Sequence, residues 1–497
     1  MSNNSNNTDR ADYTVAIIGS GFGGIGTAIK LKQAGINSFV MIERAPEPGG
    51  TWRDNTYPGC ACDVPANAYS LSFDPNPDWK HKFAHADEIQ AYLLRTVDKH
   101  GLGGHLRLET EVSSAVFDDQ RQQWALHLDN GEQITAQVVI AAVGGLVNPA
   151  PPDIEGLADF EGQLFHTARW NHDYDLSGKR VAVIGTGASA VQVIPAIAPS
   201  VEHMSVFQRT PAWVVPKGDL VVSETTKQRF RRYPFMQKAV RWFTFCFSEA
   251  MGPMIVLDSP RLSGIAERAS IRHLEHCVSD PVLREKLTPH FQFGCKRMLI
   301  SDDFWPCFER GNVDLVTDSI TRITAKGLVT RDADGNEQSH PVDALLLATG
   351  FETGLSSAPF PITGRAGKTL ADTWKNGAVA YKGMAVSGFP NWFTIMGPNT
   401  GPGHTSVLVF TEAQIRYIVQ AVRRIASGRA RSFEVKQQVQ DRYNERIQGR
   451  MKYTAWSSGC NSWYLGEDGK NRALFPGFAS EYYLRTRRFK RSDYTVR

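Results

Sequence analysis

Two glycine clusters carry the first chemistry this chain offers. Gly19, Gly21 and Gly24, within Gly19-Ser20-Gly21-Phe22-Gly23-Gly24, fit GxGxxG, and Gly185, Gly187 and Ala190 fit the GxGxxA variant, with Ser189 inside it. Glycines at this spacing let a strand turn tightly into a helix, let backbone approach a pyrophosphate, and let the helix pack on the strand with its N-terminus toward the phosphates. Glu43 ends the apolar run SFVMIE, 24 residues after Gly19, where a carboxylate accepts hydrogen bonds from an adenosine ribose. The same 24 residues counted from Gly185 reach Arg209, followed by Thr210. A carboxylate there would repel a 2′-phosphate, whereas Arg pairs with one bidentately and Thr210 adds a hydroxyl donor. An acid-type site followed by a cation-type site predicts FAD in the first and NADPH in the second, with hydride passing from NADPH to flavin. A surface arginine at a strand end is the competing reading of Arg209.

The elements that must hold these residues are repeated. VAIIG at 15–19 and VAVIG at 181–185 are β-branched runs that enter the glycines and lead into helical patterns. Asn130-Gly131 is a hairpin signal before the buried-strand run VVIAAVG at 138–144, and Asp334-Gly335 stands likewise before ALLLATG at 344–350. Pro195 should kink or shorten the second helix. Between 213 and 294 the pattern turns helical, with clustered cations in KQRFRRYPFMQKAVRW at 227–242. That basic run reads as a solvated helix face. The expected fold is α/β, with two Rossmann-like dinucleotide-binding domains and a mostly helical insertion. The expected division gives residues 1–150 and 341–497 to a split FAD-binding domain, 151–212 and 295–340 to an NADP-binding domain, and 213–294 to the insertion.

Composition sets the outer limits. At 497 residues the chain has room for two to four domains, and 42% hydrophobic with 21% charged residues is ordinary globular composition. A formal net charge of +4 argues against a dedicated nucleic-acid protein. Seven cysteines without a CxxC pair predict neither zinc nor a disulfide framework, and hence a reducing, cytoplasmic setting. The Asn- and Ser-rich first dozen residues read as a disordered start, not a signal peptide. The most apolar window, 239–257, is interrupted by Arg241, Glu249 and Pro253 and reads as a buried helix, not a membrane span.

Reduced flavin needs an outlet. Disulfide reductases use a cysteine pair, but Cys60 and Cys62 are separated by one residue, a spacing that resists closure without strain. Oxygen or a protein acceptor remains. Here the chain resembles the type I Baeyer-Villiger monooxygenases. FEGQLFHTARW at 160–170 matches the family fingerprint FxGxxxHxxxW, although Asn171 stands where Pro or Asp commonly follows. The run from Gly50 through Trp52, Tyr57, Pro58 and Gly59 to Asp63 matches GxWxxxxYPGxxxD.

The resemblance implies an FAD- and NADPH-dependent enzyme that takes a ketone and O2 and gives an ester or lactone through a C4a-peroxyflavin. Lys296 and Arg297, in GCKRMLISDDFW, match the family's Lys-Arg pair. Arg297 would stabilise the peroxide and its adduct, since arginine keeps its charge in any environment. Asp63 would orient Arg297, and Trp52, Asp63 and Lys296 would stand at the cofactors. Trp463, in CNSWYLGEDG, matches a mobile-loop tryptophan that contacts NADP and substrate, with a core aromatic as the alternative. His166 is expected to pack and hydrogen-bond between domains, outside the catalytic set. The rival readings are an N- or S-oxidising flavin monooxygenase, an FAD/NADPH electron transferase, and a nucleotide-binding regulator without turnover. No metal, nucleic acid or integral membrane segment is expected.

Overall fold

The computed structural model describes residues 11–352, 360–460, 462–466 and 468–497. The first ten residues of the start expected to be disordered lie outside them. Strands Leu106–Arg107, Phe39–Ile42, Tyr13–Ile18 and Gln133–Ala141 lie side by side in parallel, in that order. The antiparallel strands Gln123–Leu128 and Val112–Asp118 extend this sheet, with Ile362–Thr363 at its edge. The short strand Trp392–Thr394 joins Gln133–Ala141 from far along the chain. Continuous apolar runs suit such strands because both sheet faces are covered, and Val15, Ala16, Ile17, Val138 and Val139 are fully buried. Helix Phe22–Gln33 packs closely on helix Val407–Ala426, where a Cβ on Gly26 would stand 3.0 Å from Ile415.

A second sheet is wholly parallel, in the order Val313–Val316, His203–Phe207, Arg180–Ile184, Ala344–Leu347, Gln163–His166. This corrects the expected division of the chain. Ala344–Leu347 was assigned with residues 341–497 to the first unit, yet it lies between Arg180–Ile184 and Gln163–His166 in the second. The chain returns to the first sheet only after it. The helix after the second glycine turn, Ala190–Ile197, contains Pro195 and ends two residues beyond it. The two crossings between sheets pair with each other: the Ala150 N–H donates to the Gly350 carbonyl and the Glu352 N–H to the Asn148 carbonyl.

The insertion is helical, with helices Glu224–Arg232, Pro234–Val256, Pro260–Cys277 and Pro281–Leu287. Its most apolar helix is not buried as expected. Of the 23 residues of Pro234–Val256, only Gln237, Gly252 and Val256 are buried. No helix among the described residues is long and apolar enough to cross a membrane.

Candidate functional site

The first glycine turn is built for close backbone approach. Gly19 has φ +99°, and a Cβ there would stand 2.6 Å from the Ala142 carbonyl oxygen; one on Gly24 would stand 2.0 Å from the Gly19 oxygen. Gly21 begins helix Phe22–Gln33 and faces Gly49 and Gly50, so three glycines meet with no Cβ among them. A nucleotide pyrophosphate fits such a cradle. Glu43 is buried at the end of its strand. Its Oε2 accepts hydrogen bonds from the Ser20 N–H (3.1 Å) and hydroxyl (2.7 Å), while Oε1 takes the Ala45 N–H (3.1 Å) and an ion pair with Arg53 (3.0 Å). Arg53 was not anticipated from the sequence, although it lies inside the GxWxxxxYPGxxxD run.

The second turn is more open. Gly185 has φ +110° under the Ala348 carbonyl, whereas a Cβ on Gly187 would meet nothing within 4 Å. Gly187 is exposed and Ser189 half-buried. Arg209 follows strand His203–Phe207 and is exposed, and the Thr210 carbonyl accepts a hydrogen bond from the Thr186 hydroxyl (3.3 Å). Burial lowers the pKa of Lys296, and the positive charge of Arg209 lowers it further. The two cations therefore share one field, the arrangement a doubly charged phosphate neutralises.

A polar side chain joins the turns. Gln192, on helix Ala190–Ile197, accepts a hydrogen bond from the Tyr57 hydroxyl (2.9 Å) and donates to the Ala61 carbonyl (2.9 Å). Gly59 lies so close to that helix that a Cβ would stand 2.6 Å from the Gln192 carbonyl oxygen. The segment 57–61, which leads to Asp63, is thus docked on the helix of the other turn. Gln192 carries no sequence signal, since one glutamine in an apolar helix matches no motif.

At the end of that segment Asp63 meets Arg297. Both Nε (3.0 Å) and Nη2 of Arg297 donate to the single oxygen Oδ2 of Asp63. The Asp63 charge raises the arginine pKa above its already high value, against desolvation, so the guanidinium stays charged. The pair is not sealed in: Arg297 keeps 43% of its side-chain exposure and Asp63 30%. Aromatic groups stand around it. Trp52 is buried and donates to the Tyr69 hydroxyl (3.2 Å), and Tyr464 is buried near enough for the Arg297 charge to act on its hydroxyl.

The cysteines depart from expectation in one place. Cys295 and Cys460, 165 residues apart, form a disulfide. It fastens the segment carrying Lys296 and Arg297 to the loop carrying Trp463, and so large a separation leaves no local pattern to read. Trp463 is half-exposed, with its ring 4.4 Å from that of Tyr464, so it is not a core aromatic. Cys60 and Cys62 are free thiols. Burial pushes Cys60 up to about 11 and Cys62 well above the usual thiol value, so neither is poised as a thiolate.

The fingerprint lies beside the crossings. A Cβ on Gly162 would stand 2.5 Å from the Phe160 ring, Trp170 packs edge-on against Phe165, and His166 ends strand Gln163–His166. His166 accepts the Ala168 N–H at Nδ1 (3.1 Å) and packs against Phe351, while burial lowers its pKa. It is a packed, neutral histidine.

Two units, one on a mixed sheet and one on a wholly parallel sheet, each presenting a glycine turn and joined where the chain crosses twice, define an oxidoreductase built to hold two dinucleotides. Residues 16–242 match a family model described as pyridine nucleotide-disulphide oxidoreductase. The chain is 43% identical over 486 residues to a Baeyer-Villiger monooxygenase of Pseudomonas aeruginosa, covering 97% of this chain and 90% of that one. It is 42% identical to a Baeyer-Villiger monooxygenase of Streptomyces coelicolor, covering 97% and 92%. Among solved structures, OTEMO in complex with FAD and NADP superposes with a TM-score of 0.87 at 27% identity, over 98% of this chain and 100% of that one. The chain belongs to the Baeyer-Villiger monooxygenase family.

Proposed function

We propose that this chain holds FAD on the turn of Gly19, Gly21 and Gly24 and NADPH on the turn of Gly185, Gly187 and Ser189, and inserts one atom of O2 beside a ketone carbonyl to give an ester or lactone. The bound groups supply the hydride and the activation of oxygen. The chain's own residues supply placement and charge. Arg209 and Lys296, with Thr210 beside them, take the 2′-phosphate and select NADPH over NADH. Gln192 keeps segment 57–61 against the second turn, so Asp63 is brought to the junction of the two sites. Asp63 fixes Arg297, whose remaining N–H groups point their charge at the oxygen that turns anionic during ketone oxygenation. Trp52, Tyr69 and Tyr464 form an apolar surround that limits water, and Trp463 contacts cofactor and substrate from its loop.

The observation that carries this reading is the Arg297 guanidinium held by Asp63 beside the Lys296 and Arg209 charges. The high thiol pKa values of Cys60 and Cys62 weigh against the electron-transferase alternative. We place the enzyme in the cytoplasm, where NADPH is available and where the five free cysteines, though not the Cys295–Cys460 disulfide, are chemically at home. Turnover of FAD-loaded protein with NADPH, a ketone and isotopically labelled O2 tests the reading. One labelled oxygen atom in the ester is expected. Unlabelled ester, or oxygenation of sulfides and amines with ketones left untouched, would refute it.

A further inference from the structure

Helix Pro234–Val256 turns four of its five aromatic side chains outward. Its inward side carries polar anchors beside the packed Phe245 and Val256: Gln237 donates to the Asn67 side chain (2.8 Å) and the Asn76 carbonyl (2.6 Å), and Arg241 donates to the carbonyls of Asn67 (3.0 Å) and Ser70 (2.8 Å). Glu249 holds His404 (2.7 Å) and the Ala479 N–H (3.0 Å). The outward side is apolar. Phe235, Trp242, Phe243 and Phe247 are 68%, 68%, 67% and 58% exposed, and Ala239, Val240 and Ala250 are exposed with them. At helical spacing these residues form one stripe from 235 to 250, about 24 Å long at ~1.5 Å per residue. An ordinary surface helix has the opposite polarity, and a contiguous apolar stripe in water marks a contact surface.

The charges beside the stripe are one-sided. Helices Glu224–Arg232 and Pro234–Val256 carry six Lys and Arg against two Glu, and of these Arg241 and Glu249 are turned inward. Both glutamates are committed, Glu224 to Lys227 (2.7 Å) and Glu249 to His404. Arg231 pairs with Asp78, whereas Arg229, Arg232 and Lys238 have no acidic partner among the described residues. A second copy of the chain, docked by two-fold symmetry, would bring this predominantly basic patch against itself. An anionic lipid surface supplies the missing counter-charge and takes the aromatic rings at the level of its headgroups. We propose that the outward face of Pro234–Val256 docks reversibly on an anionic membrane surface, lying on it without crossing it.

The test is sedimentation of the full FAD-loaded chain with vesicles of equal parts phosphatidylcholine and phosphatidylglycerol, beside vesicles of phosphatidylcholine alone. Binding to the anionic vesicles is expected, weakening as salt rises. The double variant Trp242→Asp, Phe243→Asp should lower partitioning at least ~tenfold through lost apolar burial. Arg229→Gln with Lys238→Gln should lower it by roughly 25-fold, about fivefold per charge. Both variants should keep wild-type flavin content and ketone turnover in vesicle-free buffer, which excludes misfolding. No binding, or equal binding to phosphatidylcholine alone, overturns the proposal. Self-association that Trp242→Asp, Phe243→Asp abolishes, without vesicle binding, overturns it too and makes a second copy the occupant.

Discussion

The dependence of Asp63 on Arg297 can be measured as a coupling. Two N–H groups of Arg297 are spent on one carboxylate oxygen of Asp63, and its other N–H groups remain available to a reacting anion. Arg297→Ala removes the charge itself, and by analogy with loss of an oxyanion donor it should lower ester formation by about 10²–10³-fold, or about 2.7–4 kcal/mol. Asp63→Ala leaves a charged guanidinium that is no longer fixed, so a smaller loss of ~tenfold, about 1.4 kcal/mol, is expected. If Asp63 acts only through Arg297, the double variant should be no worse than Arg297→Ala, and the coupling energy should equal nearly the whole Asp63→Ala effect. The assay has two stages: anaerobic stopped-flow reduction of the flavin by NADPH, then oxygen with ketone in a single turnover and ester quantified by gas chromatography. Reduction should stay within a few-fold of wild type, by ~0.8 kcal/mol or less, since hydride transfer precedes any need for the oxygen-facing charge. A double variant worse than Arg297→Ala by the full Asp63→Ala factor would show that Asp63 acts independently and refute the positioning role.

Other consequences are equally direct. Arg209→Ala or Lys296→Ala should raise the KM for NADPH by ~10–100-fold and leave NADH nearly unchanged, as loss of a charge-assisted phosphate contact demands; parallel changes in steady-state kinetics for both cofactors would contradict the 2′-phosphate site. Gly24→Ala places a Cβ 2.0 Å from the Gly19 oxygen and should yield protein with little bound flavin, read from the ratio of flavin to protein absorbance. With Cys60 raised to about 11 and Cys62 higher still, alkylation of native protein at pH 8, mapped by mass spectrometry, should reach the half-buried Cys246 well before either. For Glu249, burial opposes ionisation, but hydrogen bonds from His404 and Ser480 outweigh it and bring its pKa down to about 2. A depressed carboxylate contributes stability above its unfolded value near 4.5 and loses it as pH falls toward 2, so Glu249→Gln should flatten the acid limb of thermal stability between those values. An unchanged acid limb would remove Glu249 as an anchor of its helix.

Local backbone demands were legible in the sequence. The glycines at 19, 24 and 185 stand where a Cβ would strike a carbonyl, and such constraints leave a pattern a few residues long. The repeated units also pointed to the right sheets. VVIAAVG lies beside VAIIG and ALLLATG beside VAVIG, so the repetition itself places Ala344–Leu347 in the second sheet, past the expected boundary at 341. Contacts between distant segments were not legible. Gln192, Arg53 and the Cys295–Cys460 disulfide act across gaps that only the folded chain closes. Helix Pro234–Val256 was read as buried because hydropathy reports how apolar a segment is and not which way its apolar side faces.

The late arrival of strand Trp392–Thr394 bears on how the protein is made. Its place beside Gln133–Ala141 means that the first sheet lacks a member until most of the chain has left the ribosome, whereas every strand of the second sheet has appeared by Leu347. Synthesis from the N-terminus therefore completes the middle of the protein before its beginning. Six of the eight strands described in the first sheet are made before Ala344–Leu347, and an apolar flank of Gln133–Ala141 stays uncovered until Trp392–Thr394 arrives. A nascent chain that has released Leu347 but not yet Trp392 carries every strand of the second sheet beside a first sheet that still lacks a member.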